Sequence, residues 1–172
     1  MTSLSKATIL IADDTPENID VLKGILSESY KVLAVPSGRL ALKVAMGPKP
    51  PDLILLDVMM PEMNGYEVCR KLKSAPSTAK IPVIFVTAKS EVEDERFGFS
   101  LGAVDYITKP VSPPLVMARV KNHLALYDQS KHLAHLVEER TAEPARPELR
   151  SSDASVVLQS LKTMKRVHMS FE

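Results

Sequence analysis

The chain has 172 residues, 45% hydrophobic and 25% charged, with a formal net charge of +1. This is an ordinary globular composition, and its balanced charge argues against a nucleic-acid or membrane partner. No stretch approaches the roughly 20 apolar residues of a membrane span, the N-terminus lacks a signal-peptide core, and the single Cys69 gives no disulfide framework, so a cytoplasmic location is expected.

Thr8 to Ala12 reads as a short buried strand that ends in Asp13-Asp14-Thr15-Pro16. Pro16 suits the first turn of a helix, and Ile19, Leu22, Ile25 and Leu26 follow at helical spacing. Lys31 to Val35 is a second strand, Pro36-Ser37-Gly38 a turn, and Leu40, Ala41, Val44 and Ala45 the apolar face of a second helix. Gly47-Pro48 stops that helix. Leu53 to Leu56 is a continuous apolar run, the mark of a strand buried on both faces, and it ends in Asp57. Pro61 and Gly65 turn the chain, and Tyr66 to Lys73 forms a third helix with Val68, Cys69 and Leu72 inward. Ile81 to Val86 is a fourth strand with Pro82 at its entry, where a missing donor is tolerated. Glu91 to Leu101 is a helix that Gly102 ends, Ala103 to Thr108 a fifth strand, and the chain is helical again from Leu115.

Strands alternating with helices predict a parallel sheet covered on both faces by right-handed crossovers. The last helix runs on through Leu124, Leu126, Tyr127, Leu133, Leu136 and Val137. Its partly heptad-like spacing suggests a helix that seeks a partner, against the plainer reading of one folding back on its own domain. Pro144 and Pro147 should break it. Arg146 to Asp153 reads as a linker, and Val157, Leu161, Met164 and His168 as a short amphipathic segment with Lys162, Lys165 and Arg166 on other faces. The expected division is a domain over 1–127, a helical linker over 128–143 and a proline-broken tail over 144–172, flexible or a short amphipathic helix.

Open parallel sheets place their ligands beyond the carboxyl ends of the strands. Those ends supply Asp13 and Asp14, Asp57, Thr87 and Lys109. Three carboxylates together call for a hard cation, and few protein ligands with open positions suit Mg²⁺, with Mn²⁺ as a substitute. A lysine and a hydroxyl beside them suit a phosphoryl group, and Asp57 is the candidate nucleophile, since carboxylates form acyl phosphates. Taken singly, Asp57 could be a turn residue, Asp13 or Asp14 a helix cap, Thr87 a strand end and Lys109 a solvated loop lysine. Cys69 reads as core, and His123, His132, His135 and His168 lack ligand-spaced partners.

The stretches Ile11-Ala12-Asp13-Asp14, Asp57 through Gly65, Val86-Thr87-Ala88 and Asp105-Tyr106-Ile107-Thr108-Lys109-Pro110 resemble the receiver domain of bacterial two-component response regulators, over about Ala7 to Tyr127. The resemblance implies a flavodoxin-like (βα)5 fold with strand order 2-1-3-4-5. It implies phosphotransfer to Asp57 from a histidine kinase or phosphotransfer protein, with Mg²⁺ held by Asp14, Asp57 and the backbone carbonyl of Met59, and by Asp13 through water. It further implies that Thr87 and Tyr106 move together, changing the surface of the fourth helix, fifth strand and fifth helix. Pro110 is a candidate cis bond.

Residues 14–18, 87–95 and 121–141 resemble receivers that precede a helical linker and an HD-GYP, GGDEF-type or kinase output. No HD pair, GYP loop or GGDEF-like stretch follows, so no output catalysis is expected, only phosphorylation and dephosphorylation of the chain itself. A homodimer through the long helix or the neighbouring sheet face is expected. The alternatives are a haloacid-dehalogenase-like phosphotransferase or phosphatase, which would want a carboxylate where Met59 stands; a nucleotide or flavin binder, which the acidic first loop disfavours; and a DNA-binding regulator, for which no helix-turn-helix is present.

Overall fold

The computed structural model describes residues 5–142. The elements follow in the order β1 (Thr8–Ala12), α1 (Pro16–Leu26), β2 (Lys31–Val35), α2 (Gly38–Ala45), β3 (Leu53–Leu56), α3 (Gly65–Ser74), β4 (Val83–Thr87), α4 (Val92–Ser100), β5 (Asp105–Thr108) and α5 (Pro113–Ala142). The five strands form one parallel sheet in the order β2-β1-β3-β4-β5, as expected. The expected breaks at Pro144 and Pro147, the linker and the amphipathic segment lie outside the described residues.

Strand side chains alternate between two faces, and each face has its own core. On one face Leu10, Ile54, Leu56 and Phe85 pack with Ala41 and Ala45 of α2 and Val68, Cys69 and Leu72 of α3. On the other, Ile9, Ile11, Leu53, Leu55, Ile84 and Ile107 pack with Leu22 and Leu26 of α1 and Val116, Val120 and Leu124 of α5. This is why β3 is apolar at every position: all four residues are buried. Truncating such a leucine to alanine costs about 2–5 kcal/mol through lost transfer energy and the cavity left behind.

Local chemistry sets the helix starts. Pro16 occupies the first turn of α1, where no N–H is needed. The Ser37 hydroxyl accepts from the Leu40 amide at 3.3 Å, and the Asn64 side chain accepts from the Glu67 amide at 2.9 Å. Such caps are each worth about 1 kcal/mol. α4 has no side-chain cap, and Gly98 is its only buried residue.

Several boundaries shift from the sequence expectation. β4 begins at Val83 and takes in Thr87, because the Ile81 amide is already engaged by the Thr78 carbonyl at 3.1 Å. The Ala103 amide bonds back to Gly98 at 3.4 Å, so β5 starts only at Asp105. α5 starts at Pro113 rather than Leu115, since two prolines fit a first turn. The chain divides into two units, Met1–Lys131 and His132–Glu172; in the second, the described residues are helical.

Candidate functional site

β1 and β3 are neighbours, with Ala12 opposite Leu56, so the residues that follow each strand emerge side by side. The Asp57 amide donates to the Ala12 carbonyl at 2.9 Å, which fixes the two exits together. Carboxylate oxygens of Asp13, Asp14 and Asp57 then lie within 4.8 Å of one another, the sole such cluster among the described residues. Asp13 and Asp57 are buried, at 2% and 6% exposure, and Asp14 is exposed.

Lys109 enters from the end of β5. Its ammonium lies 2.7 Å from Asp13 Oδ2 and 3.3 Å from Asp57 Oδ2. The Lys109–Pro110 bond is cis, as the sequence suggested. Asp13 Oδ1 also accepts from the Thr15 amide at 2.9 Å and the Asn18 side chain at 3.4 Å. Asp57 Oδ1 accepts from the Met59 amide at 3.1 Å. These contacts leave Asp57 under opposed influences. Burial pushes its carboxyl above the ordinary range, and repulsion from Asp13 adds to that, while Lys109 and the Met59 amide pull it down. Burial wins.

The turn after Asp57 is tight. A Cβ at Gly65 would collide with the Asp57 carbonyl oxygen and sit 2.9 Å from Val58 Cα, so only glycine fits there. Glu62 has φ 66°, a left-handed conformation that costs a non-glycine residue about 1 kcal/mol.

Thr87 is fully buried at the end of β4, and its hydroxyl accepts from the Lys89 amide at 3.4 Å. Tyr106 on β5 is buried, and its hydroxyl donates to the Lys89 carbonyl at 3.0 Å. Burial, with the neighbouring Tyr66 hydroxyl adding to it, pushes the Tyr106 phenol well above its ordinary value. The Met59 side chain is exposed beside Asp57.

The donor set suits a hard divalent cation. Three carboxylates and one ammonium leave two excess negative charges, and all the candidate protein ligands are oxygens.

A second polar cluster escaped the sequence reading. Asp105, buried at the start of β5, lies 2.5 Å from Arg119 Nη1 and 2.9 Å from His123 Nε2, both on α5. Despite its burial, these partners and the Tyr106 amide hold its carboxyl below the ordinary range. The signal was present as an Arg-x₃-His pair one turn apart, but nothing in the sequence says which strand faces it. Cys69 is buried in the core as expected, and burial raises its thiol.

Residues 9–121 match the family described as the response regulator receiver domain. The chain is 52% identical over 124 residues to a probable cyclic di-GMP phosphodiesterase of Vibrio cholerae, covering 72% of this chain and 28% of that protein. It thus spans little more than a quarter of the length of that relative. The structure is similar to the signal receiver domain of a signal transduction histidine kinase from Syntrophus aciditrophicus, at 41% identity and a TM-score of 0.64, covering 69% of this chain and 90% of that one. It is also similar to the receiver domain of a sensor histidine kinase from Pseudomonas aeruginosa, solved with magnesium coordinated in its active-site cleft, at 25% identity and a TM-score of 0.65, covering 70% and 99%. The match selects the receiver over the dehalogenase alternative, and the acidic pocket suits Mg²⁺-dependent phosphoacceptance. Fold, acidic pocket and sequence agree, and this chain belongs to the receiver domains of two-component response regulators.

Proposed function

We propose that Asp57 accepts a phosphoryl group from a histidine kinase or phosphotransfer protein and that the resulting acyl phosphate resets the packing of α4, β5 and α5. The observation that carries this is the convergence of Asp13, Asp14, Asp57 and Lys109 at one end of the sheet. An oxygen of ionised Asp57 attacks phosphorus. The new P–O bond replaces the donor's P–N bond, and the departing imidazole keeps the electron pair and takes a proton. Asp14, Asp57 and the Met59 carbonyl would hold Mg²⁺ directly, with Asp13 acting through water; the ion would offset charge on the transferring group. Lys109 sits within reach of the same oxygens as a point charge and helps keep Asp57 ionised against its burial. Thr87 supplies a hydroxyl to the phosphoryl oxygens, and Tyr106 follows it.

Met59 stands where a phosphatase of the dehalogenase type would want an acid, so turnover is limited to the chain's own phosphate. The receiver is assigned to residues 1–127, the helical linker to 128–143 and the tail to 144–172. Leu126, Leu133 and Val137 are exposed on α5, which supports a homodimer through that helix. None of the described helices is long and apolar enough to cross a membrane, and the domain works in the cytoplasm.

The test is incubation with acetyl phosphate or beryllofluoride and Mg²⁺. Mass addition or a bound-fluoride NMR signal should require both Mg²⁺ and Asp57, and should vanish in Asp57→Asn. Modification of Asp57→Asn at the wild-type level would reject the assignment. Sedimentation with and without beryllofluoride tests the dimer, which a monomer at high concentration in both states would rule out.

A further inference from the structure

α4 is weakly held by apolar packing. Gly98 is its only buried residue, and Val92, Phe97 and Phe99 are all exposed. What ties its N-terminal end down is polar and aromatic. Tyr66, the second residue of α3, donates its hydroxyl to the Asp94 carbonyl in the first turn of α4 at 3.3 Å. Its ring meets Phe97 of α4 edge-on at 4.8 Å between centroids, and Phe85 of β4 at 5.3 Å. Phe85 in turn packs against Tyr106 at 6.0 Å. Tyr106 holds the Lys89 carbonyl just ahead of α4, and Lys89 is also bonded through its amide to Thr87.

Two tyrosines from different elements therefore pin one segment, residues 89–94. Tyr106 grips its start and Tyr66 its end. Gly98 leaves room for this packing: a Cβ there would lie 3.0 Å from Phe85 and 3.2 Å from Tyr106.

We propose that Tyr66 is a positioning residue of the switch, holding α4 and inward Tyr106 in the packing that goes with an occupied Asp57. This rests on the phosphoacceptor reading above. α3 thereby becomes a fourth element of the switch, beside α4, β5 and α5. Loss of one net hydrogen bond corresponds to a population shift of about two- to tenfold.

The experiment is a beryllofluoride titration of the full chain in Mg²⁺, followed by fluorine NMR, which does not depend on tyrosine fluorescence. Tyr66→Phe should weaken apparent affinity by about two- to tenfold and speed hydrogen exchange at residues 89–98. Tyr66→Leu, which also loses the ring contacts, should weaken it further. In a Tyr106→Phe background the effect of Tyr66→Phe should shrink, because both hydroxyls act on the same segment. A purely structural role would lower the urea midpoint of Tyr66→Phe while leaving beryllofluoride affinity unchanged, and that result would overturn the proposal. If wild type itself shows no Asp57-dependent binding, the phosphoacceptor reading falls first, and this inference with it.

Discussion

Replacing Asp57 by asparagine should make the protein more stable while abolishing phosphoacceptance. The two side chains are nearly isosteric, and the amide oxygen can still accept from the Met59 amide, 3.1 Å from Oδ1 in the wild type. The charge is what changes. At an effective dielectric of about 20, Lys109 at 3.3 Å attracts Asp57 by about 5 kcal/mol, and Asp13, within 4.8 Å, repels it by about 3.5 kcal/mol or more. Exposed Asp14 adds a screened fraction of a further repulsion, so the charge terms nearly cancel. What remains is the desolvation of a carboxylate that is 6% exposed. This agrees with a carboxyl held above its ordinary range mainly by burial. The expected gain at pH 7 without divalent cation is about 1–2 kcal/mol, or a urea midpoint about 0.5–1 M higher. The pH dependence has a defined sign. An acid whose folded pKa is raised makes the wild type lose stability as pH rises, starting from the unfolded value near 3.9 and ending once the raised folded value is passed. The advantage of Asp57→Asn should therefore be small at about pH 3.5, grow through that window and then level off. Urea titrations in EDTA between pH 3.5 and 8 measure it, and added Mg²⁺ should close the gap by stabilising wild type more. An Asp57→Asn variant less stable than wild type at pH 7 in EDTA would show that the Lys109 attraction outweighs burial and refute the reasoning.

Lys109→Met should act in the opposite direction, leaving Asp13 and Asp57 buried without their cation at a cost of about 3–5 kcal/mol in EDTA, read from the same titrations. Asp105→Asn should cost about 2–3 kcal/mol at pH 7 by stranding Arg119 and His123. Because the Asp105 carboxyl is held low, its contribution is present above the unfolded value near 3.9 and is lost as pH falls through the folded one, so wild type and variant should converge in acid unfolding. Glu62→Gly should stabilise by up to about 1 kcal/mol by relieving the left-handed backbone, offset by the greater freedom of the unfolded chain; thermal unfolding that shows a loss beyond about 1 kcal/mol would point to an interaction of the Glu62 side chain.

The sequence by itself determined the sheet and which acids stand at the ends of its strands. The apolar run Leu53 to Leu56, short and set between turn residues, reads as a strand covered on both faces, and acids at the ends of β1 and β3 meet because those strands are neighbours. Period and turn chemistry are local, so they survive in one dimension. Element ends were less legible, because they depend on which partner takes an amide: Ile81 reads as strand but is engaged by Thr78. The partners of each side chain were decided only by the tertiary structure. Lys109 bridges Asp13 and Asp57 from 96 and 52 residues away, Asp105 collects Arg119 and His123 from α5, and Tyr66 reaches 28 residues on to α4. Distance and burial create those couplings, and neither exists until the sheet has brought the elements together.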